Sequence, residues 1–239
     1  MPATSERAHS ILCGLLLIAG TALFLWGGIQ HPVIDARLGT GEQFFRNFAV
    51  EILRHSNWGA IHWAILIGPV LWALGAVGLK DLLRRAGEPR WSALGLASLV
   101  MGAACWAVTF VFDGMAAPVY ANAIAAAPSE RVQPLLTALA ANQAVVIRLG
   151  LVSWILIGLA SAAFGTSLAT TGLGWRWFRW AVVVSGIVLG LWPLAAWWGG
   201  TFSPGPFISP WWRWTALTTS LWYAAAGAVV MPRSSGTID

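Results

Sequence analysis

The side chains of this chain best suited to chemistry are two histidines and an aspartate, His31, His62 and Asp113. Imidazole and carboxylate together suit zinc, copper or non-haem iron, and a His31/His62 axial pair would instead suit a haem b held between helices. Around them in the sequence fall Glu51, His55, Trp63 and Arg148. These offer a carboxylate, a further imidazole, an indole and a guanidinium to an anionic headgroup or a small amphipathic ligand. His55 and His62 lie on one face of a continuous helix but about 10 Å apart along it. They share an ion only if the chain breaks at Ser56 or Asn57. No short motif fixes the chemistry: HExxH, a CxxC pair, a nucleophile elbow and the carboxylate–histidine spacing of di-iron bundles are all absent. The bland reading gives these histidines hydrogen bonds to loop carbonyls and water, and pairs Asp113 with Arg148 to join two helices.

Three residues so far apart in sequence meet only if helices carry them to one level, and the composition says which solvent those helices occupy. Apolar residues make up 58% of the 239 positions and charged residues 10%, well below the roughly 25% charge of a soluble domain. The apolar residues fall in six runs, near 11–29, 58–79, 91–112, 149–169, 180–199 and 211–231. Each has about the length needed to cross a bilayer as a helix. Lipid cannot satisfy backbone polar groups, and uninterrupted runs exclude barrel strands. The expected fold is therefore all-α, a single polytopic bundle of about six transmembrane helices.

The net charge of +5 does not point to nucleic acid, because the basic residues sit in short connections rather than on a binding face. Lys80, Arg84, Arg85 and Arg90 crowd the connection after the second run, which places it inside by the positive-inside rule and puts both termini in the cytoplasm. The expected location is a bacterial inner (plasma) membrane. The first run is retained rather than cleaved, since Gln30-His31-Pro32 follows it where a signal peptide would have small residues. Cys13 and Cys105 fall at different depths and are packing residues, not a disulfide. With this topology His31, Asp35, Glu51, His55, His62, Asp113, Asn142 and Arg148 gather at the outer mouth.

Most of the seventeen tryptophans fall at run ends, where indoles anchor helices at the headgroups. Trp72, Trp106, Trp154, Trp192 and Trp222 lie inside runs, where each N–H needs a partner. Gly28, Gly114 and Gly200 recur every 86 residues, each near a proline, which reads as three copies of a helical hairpin. Thr40 and Gln43 form a capping box, and Phe44, Phe45, Phe48 and Ile52 then share a face, so an amphipathic helix lies on the outer surface. Ser129 and Glu130 begin a similar helix in the second hairpin.

Three functions fit these features. The first is a membrane protein that holds a metal, haem or small amphipathic ligand at a polar outer mouth. The second is an accessory subunit of a membrane complex or a homo-oligomer, with small residues serving helix packing and no cofactor. The third is an uncoupled transporter of an apolar solute, because the midplane lacks the carboxylates of a coupled carrier. A lipid-modifying enzyme is a weaker fourth.

Overall fold

A computed structural model describes residues 2–32, 38–39, 41–198 and 210–231. The described residues form helices joined by short turns, with no strand among them. In chain order the helices are α1 (Pro2–Gln30), α2 (Gly41–Arg54), α3 (Trp58–Arg85), α4 (Pro89–Phe110), a π-helical segment (Val111–Ala116), α5 (Ala117–Ala126), α6 (Ser129–Thr171), α7 (Arg176–Trp198) and α8 (Pro210–Val230). Among the described residues four helical stretches, within α1, α3, α4–α5 and α6, are long and apolar enough to cross a membrane. This is the build of a membrane protein.

Close helix contact in this fold depends on missing side chains. α1 packs along α3, α3 along α4, α4 along α6, α6 along α7, and α8 returns to α1. Where α1 meets α3, a Cβ on Gly20 would lie 2.6 Å from the Gly68 carbonyl, and one on Gly27 would lie 2.9 Å from the Ile61 carbonyl. A Cβ on Gly158 of α6 would meet Gly190 of α7 at 2.5 Å. Lipid offers little hydrophobic drive for helices to associate, so such backbone approach supplies much of the packing attraction. The small residues expected at interfaces are there.

The interior is a continuous core from Cys13 and Leu17 through Trp72, Trp106, Trp154 and Phe164 to Trp222 and Tyr223. Three of its indoles are hydrogen bonded from within. Trp72 Nε1 donates to Thr21 Oγ1 at 3.1 Å, Trp106 Nε1 to the Ile65 carbonyl at 3.2 Å, and Trp222 Nε1 to Ser161 Oγ at 3.1 Å. At Trp192 only the backbone is described. Cys13 and Cys105 are both free thiols.

Two boundaries differ most from the apolar runs, for one physical reason. The third run stops at 112, yet the helix continues through the π segment to Ala126. The fourth begins at 149, yet its helix begins at Ser129 and extends for 43 residues, about 64 Å against roughly 30 Å of hydrocarbon. Hydropathy marks where lipid ends, not where a helix ends. Helix formers such as Ala, Leu and Gln carry α5 and the first part of α6 onward, and packing against a neighbour stabilises them. The helix expected at Ser129 is thus the first half of α6 itself.

The amphipathic α2 is present, with Phe44, Phe48 and Ile52 buried and Phe45 half-buried. Its apolar face lies on α5 and the start of α6, making a second core with Trp58, Ala117, Ala121 and Leu139. We call α2, α5 and residues 129–143 the cap. Thr40 of the expected capping box, Asp35 and Gly200 of the third repeat lie outside the described residues. Of the other two repeat positions, Gly28 is near the end of α1 whereas Gly114 is inside a helix that runs on. The two therefore do not occupy equivalent places.

Candidate metal centre

The site grows from a proline. Pro118 has no N–H to give, and in an unbroken α-helix its ring would press on the carbonyl four residues back. The chain absorbs this just before Pro118 by widening into the π segment, where the Ala117 N–H reaches back five residues to the Phe112 carbonyl. The Asp113 carbonyl, whose donor at that spacing would be Pro118, is left without one from its own helix. Trp58 Nε1 supplies it from the start of α3, at 3.0 Å. On the other side α6 clamps the same segment twice: Asn142 Nδ2 donates to the Phe112 carbonyl at 3.1 Å and Gln143 Nε2 donates to Asp113 Oδ1 at 3.1 Å. Asp113 is thereby buried with one carboxylate oxygen engaged and its other, Oδ2, aimed at α3.

His62, one turn into α3, receives that oxygen. It is 2% exposed, stacked on Trp58 with centroids 4.5 Å apart. Gly114 makes room, since a Cβ there would lie 2.5 Å from His62 Cβ. His62 Nδ1 is 2.7 Å from the Trp58 carbonyl. A carbonyl can only accept, so Nδ1 carries a hydrogen, and in the neutral ring Nε2 carries the lone pair. Yet Nε2 sits 3.3 Å from Asp113 Oδ2. Two acceptors face each other at that range only with a proton or a cation between them.

His31, just after the C-terminal end of α1, repeats the arrangement. Its Nδ1 donates to the Pro32 carbonyl at 2.9 Å, and its ring lies 5.0 Å from that of His62. One donor atom each from His31, His62 and Asp113 fall within 4.8 Å of one another. Ligands on a tetrahedral ion stand about 3.4 Å apart for bonds of about 2.1 Å. Gathering the three therefore needs shifts of roughly an ångström. His31 is half-buried while the other two are buried, so the cluster is approached from the His31 side.

The other candidates lie elsewhere. His55 is in the turn where the chain does break between α2 and α3, but its Nδ1 bonds the Glu51 carbonyl at 2.9 Å and it stands 3.6 Å from the Glu51 carboxylate. Glu51 also pairs with Arg54 at 3.6 Å, so these residues form a local set at the end of α2. Trp63 is half exposed on the outer side of α3. Arg148 is exposed on α6, on a different face from Asn142 and Gln143. Trp58, Gln143 and Gly114, which complete the site, escaped the sequence reading as functional residues. Trp58 reads as an interface anchor, and Gln143 as one amide beside Asn142 in an apolar stretch.

Comparison with protein-family models, with curated proteins and with solved structures finds no match for this chain. The donor set and its surroundings therefore carry the functional reading by themselves.

Proposed function

We propose that this is an integral membrane protein that binds a divalent first-row metal ion through His31, His62 and Asp113 at the outer end of its helical bundle. The observation that carries this reading is that both rings are held by backbone carbonyls with a ligand atom of each turned to Asp113. Each histidine commits Nδ1–H to a backbone carbonyl, and one ligand atom from each lies within 4.8 Å of the other and of an Asp113 carboxylate oxygen. Metal-binding histidines are oriented this way, by an outer partner on the second nitrogen. Gln143 plays the same part for Asp113. Two imidazoles and one carboxylate suit zinc or iron(II), with at least one position left for an exchangeable ligand.

The haem alternative fits the geometry less well. Two axial imidazoles on one iron need ring centroids about 6 Å apart, given metal–nitrogen bonds of about 2 Å. The His31 and His62 rings are 5.0 Å apart and inclined at 59°, and the Trp58 ring lies flat against His62. A macrocycle has no place between them.

In the membrane arrangement that accompanies this reading, α7 and α8 complete six crossings, and the basic connection between α3 and α4 lies in the cytoplasm with both termini. The cap and the cluster then face outward. The test is metal content after purification in mild detergent and equilibration with zinc. The expected result is about one ion per chain in the wild type and in His9→Ala, with occupancy reduced at least tenfold in His31→Ala, His62→Ala and Asp113→Asn. Undiminished occupancy in all three would move the ion elsewhere.

A further inference from the structure

Trp58 touches every member of the cluster. Its ring stacks on His62 at 4.5 Å and lies 5.8 Å from the His31 ring. Its carbonyl fixes the His62 tautomer, and its Nε1–H holds the Asp113 backbone. The same ring is buried in the cap core, where the edge of Phe48 from α2 meets it at 6.0 Å. No other described residue makes all four of these site contacts and also belongs to the cap core.

We infer that Trp58 is a positioning residue that couples the two: docking of the cap sets the affinity of the site for metal, and metal in turn tightens the cap. Seating α2 on α5 and α6 presses Phe48 against the indole. The indole then holds the His62 ring and the Asp113 backbone in the register that lets Nε2 and Oδ2 converge. Coupling between two binding events is reciprocal, so an ion that draws His62 and Asp113 together must favour the docked cap by the same factor by which the docked cap favours the ion. The route is short, a single side chain packed on both sides, which makes a concerted response physically reasonable.

This inference rests on the metal reading above, and its test separates the two. Zinc affinity is measured by competition with a chromophoric chelator, and backbone hydrogen exchange across 41–54 is followed with and without zinc. Trp58→Phe keeps an aromatic ring and the backbone carbonyl but loses the N–H, and should weaken zinc binding about tenfold. Phe48→Ala touches none of the three ligands, and should still weaken it about threefold or more. Phe48→Leu, which keeps the cap core filled, should fall between Phe48→Ala and the wild type. Zinc should slow exchange in α2 of the wild type about threefold or more, and have no such effect in Asp113→Asn. Wild-type affinity in Trp58→Phe or in Phe48→Ala would overturn the coupling, as would α2 exchange unchanged by zinc that is demonstrably bound. A wild-type protein that binds no zinc, iron or copper would overturn the metal reading itself.

Discussion

Each histidine of the cluster has one nitrogen already taken by a carbonyl, and this separates the site from two histidines that happen to be near each other. Here the carbonyls orient the rings, and Gln143 does the same for Asp113. Replacing Gln143 with leucine leaves Asp113 Oδ1 buried without its donor. That costs about 1–3 kcal/mol of stability, and metal affinity should fall 10- to 100-fold. Thermal unfolding in detergent, with and without zinc, reads both, and an unchanged zinc-induced rise in Tm would show that the amide does not orient the ligand.

Residues at this scale were only half legible in the sequence. His31, His62 and Asp113 stand at the ends of apolar runs, so their common depth followed from topology. Their partners did not, because an indole near a membrane surface and an amide in an apolar run each have ordinary explanations. The Gly114-to-Pro118 spacing was the missed signal. It reads as a helix end, but it also fits a helix that passes a proline by widening at a residue without a side chain.

At the scale of elements, His31 reaches His62 only because α1 lies close against α3. Gly27 is one turn before His31, and a Cβ there would press on the Ile61 carbonyl and the Ile65 side chain. Gly27→Val should push the C-terminal end of α1 away from α3 and weaken zinc binding at least tenfold, with an overpacking cost of about 1–3 kcal/mol. Gly59 has nothing within 4 Å of its would-be Cβ, so Gly59→Ala should bind as the wild type does. Equal affinities in the two variants would mean that the α1–α3 approach does not set the site. Helix existence was legible from apolar runs and the face of α2 from its periodicity. The reach of α4–α5 and α6 was not, because polar partners and cap packing extend a helix where hydropathy no longer reports it.

The whole molecule combines two cores with one site between them. The larger core fills the bundle, the smaller one holds the cap, and the cluster sits where the π segment and the start of α3 pass from one to the other. A buried carboxylate is costly in lipid but tolerable at this boundary, where it has polar partners and His31 is only half-buried. The arrangement requires the cap and the α3–α4 turn to lie on opposite faces of the membrane. In a chain with Cys13 and Cys105 replaced by alanine, Gln43→Cys should react with an impermeant maleimide added outside, and Ala86→Cys should react only after the membrane is opened. Labelling of both from one side would reject the outward-facing site.

Two imidazoles and one carboxylate of this chain are proposed to hold a metal ion. X-ray absorption at the zinc edge of the zinc-equilibrated protein tests it most directly. The account predicts a first shell of nitrogen and oxygen only, with the outer-shell scattering of about two imidazoles, lost in His31→Ala and His62→Ala. A shell without imidazole scattering, a sulfur neighbour, or less than a stoichiometric amount of metal would contradict it.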